Sequence, residues 1–386
     1  MKEIAVSDLP PNSYVDAPVF LDDAYILLAP DIPVSEGLSK RLAEWDFRVV
    51  RTSGKVTNAP AFESAGAGAP VATLTKNVKE EETSNEVLSL YKQKISAVTS
   101  IFDRYKLKNE LRINEVTDIV KQLIVLTKSY PHHALNLPDI ETPGHGFLPS
   151  HAVKSAILAV ALADFLKLPP HRIIEVGIAG LLHTIGMMRI PPEIYLSERP
   201  LNPKEKQMII AHPILGFRAL KDAAFPVQIA IAVLEHHERI DGSGYPRKLA
   251  GDKLSLYGKI IAVSSSYVAA VSERPFRQAR DGHSGIMDLL KDMGRMYDEK
   301  VLRALVFTLS IFPIGTYVEL ANKARGVVIR TNPESPKLPV VKLFLNPAGE
   351  PYADLPLVQV EESGDLSILR PLTPDEVKTL KEVRLA

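Results

Sequence analysis

The chain has 386 residues, of which 46% are hydrophobic, 24% charged and 6% aromatic. At about 100–200 residues per domain this describes a globular sequence of two or three domains and excludes collagen, coiled coil and wholesale disorder. Lys plus Arg equals Asp plus Glu at 46 each, so the long-range field that draws a protein to a nucleic-acid polymer or an anionic bilayer is missing and any anion site must be local. The absence of cysteine removes disulfides, thiolate metal sites and cysteine nucleophiles, and leaves histidine and carboxylates to bind metal.

The first ten residues carry Glu3 and Asp8 and lack the basic and apolar regions of an export signal, which predicts a cytoplasmic chain. Residues 1–55 hold short apolar runs at 15–21 and 25–29 and a helical pattern at 35–45. That reads as a small α+β module with Trp45 in its core. Residues 52–75 are rich in Ala, Gly, Ser and Pro, and 56–80 are expected to form a flexible linker. Linker helices follow over 81–130. Residues 82–104 contain no Gly or Pro, and Val87, Leu90, Tyr91, Ile95, Val98 and Ile101 recur at helical spacing. Two readings stay open for this stripe: it pairs with a second copy in a homodimer, or it packs on its own chain. A second helix spans 114–128.

The main domain, 148–312, reads as a dense helical bundle. Its richest apolar stretches, 156–166 and 173–182, are broken by Asp164 and Glu175 and fall short of the ~18–20 residues of a membrane span. They are read as core helices. Beyond Pro313, β-branched runs at 316–320, 326–330 and 339–345 alternate with Gly, Asn and Pro, which predicts a small antiparallel sheet or barrel over 313–386. The fold expected is mainly α, a helical bundle between a small N-terminal α+β module and a small C-terminal β module.

Ten histidines occur, and five punctuate the helical domain. They are His151, which opens one apolar helix, His183, which closes the next, His212, and His236 with His237, which close a third. A lone histidine on such a face is usually a hydrogen-bonded core residue, but imidazoles projecting from facing helices are also how bundles build metal sites. His132, His133, His145, His171 and His283 are read as surface or capping residues.

The run His236-His237-Glu238-Arg239-Ile240-Asp241-Gly242-Ser243-Gly244-Tyr245-Pro246 resembles, almost letter for letter, the signature of the HD-GYP family of bacterial cyclic di-GMP phosphodiesterases. The segment Leu181-Leu182-His183-Thr184-Ile185-Gly186-Met187 is similar to the family's Leu-Leu-His-Asp-Ile-Gly-Lys. Ala211-His212-Pro213, Ser272 to Arg277 and Phe312 to Val318 also resemble family segments, in order, over 151–320. The resemblance implies the HD-domain fold and a metal-dependent phosphodiesterase lineage.

The departures fall on the chemistry. By the resemblance, Thr184 stands where an aspartate bridges two metals, Ser265 where a second ligand aspartate stands, Val268 where a further acid stands, and Met187 where a lysine contacts phosphate. One metal would take His151 and His183 with two aspartates, and the other His212, His236 and His237 with the shared aspartate. Two close divalent ions repel without a bridging carboxylate, so a binuclear centre is not expected. His212, His236 and His237 remain the ligand set of a mononuclear centre with an open position, for iron, manganese or zinc, with His151 and His183 as weaker candidates. Asp241 and Glu238 beside the histidine pair are considered as compensating carboxylates. Tyr245 and Gly244 border the family's nucleotide pocket. Arg274, Arg277 and Arg280 recur every three residues, as on one face of a helical turn, and the resemblance gives the first two a phosphate.

Three functions follow. The first is a degenerate HD-GYP receptor or scaffold that binds cyclic di-GMP without turnover. The second is a slow single-metal phosphodiesterase producing pGpG or GMP. The third is an interaction module that presents the Gly-Tyr-Pro loop to a signalling protein such as a cyclase domain.

Overall fold

The computed structural model describes residues 2–17, 19–20, 26–28, 34–35, 48–58, 78–332 and 334–385. The chain divides into two compact units, 1–72 and 73–386.

In the first unit β1 (Lys2–Ala5), β3 (Val19–Phe20), β4 (Ile26–Leu28) and β5 (Val49–Thr52) form an antiparallel sheet in the order β1-β5-β3-β4. β2 (Tyr14–Val15) pairs with β6 (Val56–Thr57). Leu9, Val15, Val19, Leu28, Val34 and Val50 make a small core. Val56 and Thr57, expected in the linker, are instead held by a strand pair. The helix expected at 35–45, Trp45 and the linker residues 59–77 lie outside the described residues.

The second unit is mainly α. Its first helix, α1 (Val78–Lys108), has 31 residues, which gives a length of about 46 Å at the standard rise. α2 (Ile113–Ser129) and α3 (Leu148–Phe165) pack beside it, and α4 (Pro170–Leu182) packs on those two. Val87, Tyr91, Ile95, Val98 and Ile101 of α1 belong to the same core as α2, α3 and α4. The stripe considered for pairing with a second copy is thus covered by its own chain, and the homodimer through that face is not what the packing provides. Polar latches reinforce the contact: Tyr91 Oη lies 2.7 Å from Ser150 Oγ, and His145 Nε2 lies 2.8 Å from Asp103 Oδ1.

α3 is apolar on nearly every side because it sits at the centre of the bundle. By length and composition it could cross a membrane, yet 78% of it is buried inside the fold. It approaches α4 closely because the facing residues are small. A Cβ on Gly180 would sit 2.9 Å from the Cα of Ala156, and one on Gly177 would sit 3.0 Å from Val160 Cγ2. Past α4 come a 3-10 turn at Ile185–Arg189, α5 (Pro203–Ile210), α6 (His212–Asp222), α7 (Val227–Glu235), α8 (Leu256–Val271), α9 (Gly282–Lys291) and α10 (Glu299–Leu309). α6 and the 3-10 turn meet through glycine as well: a Cβ on Gly186 would lie 2.0 Å from the carbonyl oxygen of His212.

The C-terminal part is an antiparallel five-stranded sheet, β7 (Tyr317–Leu320), β8 (Arg325–Arg330), β9 (Val340–Leu345), β10 (Leu357–Gln359) and β11 (Ile368–Pro371), in the order β10-β9-β8-β7-β11. Buried Glu319 on β7 accepts from Arg325 Nη2 at 2.7 Å and Arg370 Nη2 at 3.3 Å. Arg370 in turn grips Glu376 with two bonds of 2.7 Å, which ties the sheet to a closing helix, α11 (Pro374–Leu385).

The close approach of α3 and α4 yields a test. Gly180→Leu places a side chain against the α3 backbone and is expected to cost ~1–3 kcal/mol of stability, read as a lower urea midpoint. An unchanged midpoint would mean that the two helices separate without penalty.

Candidate metal and ligand site

Helix ends bring the five histidines together. His151 lies in the first turn of α3, His183 follows the last residue of α4, His212 opens α6 directly after α5, and His236 and His237 follow α7. Ring centroids lie 5.1 Å apart for His151 and His183, 5.1 Å for His183 and His236, 5.0 Å for His212 and His236, and 4.2 Å for His236 and His237. The imidazoles thus run as one chain along the wall of a cavity of about 560 Å³.

Three of the rings share one anchoring device. The last carbonyls of a helix have no intrahelical partner. The Nδ1 of His183 lies 2.7 Å from the Gly180 carbonyl, that of His212 2.7 Å from Ile209 and that of His236 2.6 Å from Val233, each three residues back. A carbonyl only accepts, so each Nδ1 carries the proton and each Nε2 is left with its lone pair. The Nε2 atoms of His212 and His236 stand 3.1 Å apart. Two bare nitrogens at that distance repel, and a cation between them would relieve that repulsion.

A shared proton is disfavoured by the surroundings. Burial lowers His212 to about 4 and holds His236 and His237 well below the ordinary imidazole range, with the neighbouring rings as a further cause for the latter two. The imidazoles are therefore neutral ligands at pH 7. His237 completes the set: one ring nitrogen each from His212, His236 and His237 lie within 4.8 Å of one another. The triad can hold a metal ion with an open position. Thr184 Oγ1 beside it is buried and has no hydrogen-bond partner.

The other residues singled out by sequence are placed as follows. Met187 and Ser265 line the cavity. Val268 does not; it is buried on another side of α8, where it lines a separate cavity of about 260 Å³. Tyr245 lines the site and stacks on His237 at 4.7 Å. Gly244 is instead a packing residue, since a Cβ there would meet the Arg239 nitrogen at 2.4 Å. Residues 273–280 are not helical, which corrects the reading of three arginines on one helical face. Arg274 and Arg277 bracket a tight turn. Arg274 enters the cavity, Arg277 turns to the Ala269 carbonyl, and Arg280 pairs with Asp288.

The neighbouring carboxylates, Glu238 and Asp241, are engaged by the following loop rather than by the histidines. Glu238 accepts the backbone N–H groups of Arg247 at 2.6 Å and Leu249 at 3.1 Å, and exposed Asp241 accepts from Ser243. Both shape the loop 239–249. His145 and His283, read as surface or capping residues, are structural: His145 is buried against Asp103, and His283 stacks on Phe312 at 4.7 Å. Sequence reasoning missed Phe147, which lies 3.7 Å beneath the Arg274 guanidinium, and Lys206 and Phe276, which line the cavity. No local pattern marks Phe147, because its contact spans more than a hundred residues.

Burial of neutral imidazoles makes stability depend on pH. An imidazole in the unfolded chain titrates near 6.5, whereas His183 and His212 are each held down to about 4 in the fold. Between those values the unfolded chain binds more protons, so stability is complete above about pH 6.5 and falls as the pH drops toward 4. Chelator-treated protein is expected to unfold in less urea at about pH 5 than at about pH 7.5. Equal midpoints would show that the rings are not buried in neutral form.

Residues 140–301 match the HD domain family. The chain is 32% identical over 268 residues to a cyclic di-GMP phosphodiesterase of Pseudomonas aeruginosa, covering 69% of this chain and 64% of that protein. It is 28% identical over 195 residues to the cyclic di-GMP phosphodiesterase PdeB of Borreliella burgdorferi, covering 50% and 52%. The chain thus spans between half and two thirds of the length of these two curated relatives. A solved HDG"Y"P protein from Bdellovibrio bacteriovorus aligns over 79% of this chain and 97% of its own with a TM-score of 0.47 at 14% identity. With its histidines and its Gly-Tyr-Pro loop set in the matched domain, the chain belongs to the HD-GYP family of HD-domain proteins.

Proposed function

We propose that this chain is a degenerate HD-GYP receptor: it binds cyclic di-GMP in the histidine-lined cavity, holds one divalent transition metal through His212, His236 and His237, and does not hydrolyse the ligand. The observation that carries this reading is the chemistry of the wall. Among the described residues, the one acidic side chain lining the cavity is Glu198, and it is exposed at the rim. Thr184, Met187 and Ser265 surround the histidines with neutral groups.

A bound iron, manganese or zinc ion would supply Lewis acidity at the triad. The chain's own groups supply binding. The half-buried Arg274 guanidinium lies on Phe147 at 3.7 Å, a planar fork suited to a phosphodiester. Lys206 adds an ammonium at the wall, and Phe276, 62% exposed, offers a ring for a base. What is lacking is a base and a bridge. The Thr184 hydroxyl cannot take a proton near pH 7 as a carboxylate can, nor neutralise a pair of divalent ions. The reading in which the Gly-Tyr-Pro loop serves a protein partner is less well supported, because Gly244 is buried and the Tyr245 ring lies on His237 rather than outward.

The test is anaerobic incubation with cyclic di-GMP and, separately, iron(II), manganese(II) or zinc(II), with products resolved by chromatography and binding followed by calorimetry. Saturable heat with an intact cyclic dinucleotide is expected. Accumulation of pGpG or GMP by the wild type but not by His236→Ala would overturn the proposal in favour of single-metal hydrolysis.

A second prediction concerns Thr184. Thr184→Asp puts a carboxylate beside the triad and is expected to tighten zinc binding, since an anionic oxygen replaces a neutral hydroxyl. Unchanged affinity would place the Thr184 side chain outside the reach of the ion.

A further inference from the structure

The His151–His183 pair resembles the His212–His236 pair in geometry and differs from it in protonation. His183 Nε2 lies 3.1 Å from His151 Nε2, the same separation as in the other pair. His183 donates its Nδ1 proton to the Gly180 carbonyl at 2.7 Å, so its Nε2 is a bare acceptor. The far side of His151 faces no carbonyl. Its Nδ1 meets Arg274 Nη2 at 3.1 Å.

A guanidinium has donors and no acceptor. Arg274 therefore donates to His151 Nδ1, which must carry the lone pair. The proton of a neutral His151 is then on Nε2, aimed at the bare Nε2 of His183. The chain Arg274 Nη2–H to His151 Nδ1, His151 Nε2–H to His183 Nε2, and His183 Nδ1–H to Gly180 oxygen is satisfied at every link. One pair of rings is hydrogen-bonded without an ion, and the other leaves two bare nitrogens facing each other.

From this we infer that Arg274 stands in for the second metal ion of the site: its guanidinium locks His151 in the Nε2–H form, joins His151 to His183 by a hydrogen bond, and so withdraws both rings from metal binding. The residues at this half of the cavity do not fit an ion. A metal there would need the Nε2 lone pair of His151, which is protonated, and would stand near the positive charge of Arg274, while among the described residues the one carboxylate lining the cavity is Glu198, exposed at its rim. The guanidinium is held for this role by Phe147 beneath it at 3.7 Å and by the tight turn in which the Arg274 N–H donates to the Arg277 carbonyl at 2.9 Å. The positive charge that a second divalent ion would bring is thereby part of the polypeptide, and a chelator cannot remove it. Arg274 is in this sense a positioning residue for His151 as well as a cation of the cavity wall.

The inference deepens the single-metal part of the proposed function, and its test uses zinc alone, so that failure of cyclic di-GMP binding or the appearance of turnover leaves it separately decidable. Protein labelled with ¹⁵N-histidine is examined by long-range ¹⁵N–¹H correlation, which separates protonated from bare ring nitrogens, with His151→Gln used to assign its ring. In metal-free wild type His151 is expected in the Nε2–H form. One equivalent of zinc is expected to shift His212, His236 and His237, and a second to leave His151 Nε2–H in place. In Arg274→Met the Nδ1–H form of His151 is expected to appear. A wild-type His151 found in the Nδ1–H form, a second zinc that displaces the His151 proton, or an Arg274→Met protein with an unchanged His151 signal would each overturn the inference. The wild-type titration decides it even if the variant does not fold.

Discussion

The site depends on one interaction, the hydrogen bond from an imidazole Nδ1–H to the carbonyl three residues earlier at a helix end. It is made by His183, His212 and His236. Each bond satisfies a carbonyl that the helix leaves without a partner and at the same time decides which ring nitrogen faces the cavity. The same two-atom device that ends a helix therefore prepares a ligand. Because the helices fix the rings, the spacing of the rings follows from helix packing, and that spacing rests on small residues: Gly180 against Ala156, and Gly186 against the His212 backbone.

Around this frame the remaining groups take sides. Carboxylates that approach His236 and His237 in sequence are drawn off by backbone N–H groups of the following loop, as Glu238 is by Arg247 and Leu249. Glu235 is likewise held by the Ser255 N–H at 2.9 Å and by Arg247. Among the described residues the cavity is lined by neutral imidazoles, Arg274, Lys206 and aromatic faces, with Glu198 at its rim. In the proposed reading that set serves recognition of a phosphodiester with planar bases rather than two-ion hydrolysis. α1 reaches the same frame from outside. Tyr91 bonds Ser150, the neighbour of His151, and the Arg189 guanidinium, at the end of the turn that carries Met187, lies over the Tyr105 ring at 4.4 Å.

Much of this was legible in the sequence, because helical periodicity and the histidines at its breaks are local signals. The apolar stripe of α1 was readable from spacing alone, but what covers it was not: a stripe at i, i+3 and i+4 carries no mark of whether its partner is the same chain or another. The directions of Glu238 and Asp241 depend on a loop whose path is set by contacts beyond the helix. Two features had signals that were passed over. Pro275 between Arg274 and Arg277 argues against a helical turn, and Thr373-Pro374-Asp375-Glu376 is a capping box with proline at the first helical position, which announces α11. There Thr373 N–H donates to Glu376 Oε2 at 2.8 Å. The role of Phe147 under Arg274 joins distant segments and has no local trace.

The central claim is that this cluster of five imidazoles is a site for one cation, made so by the two bare nitrogens of His212 and His236. The most direct measurement is metal content per chain after equilibrium dialysis against zinc or manganese, determined by elemental analysis for the wild type and for His236→Ala. The account predicts one ion per wild-type chain and its loss in the variant. Two ions per wild-type chain, or one ion retained without His236, would contradict it.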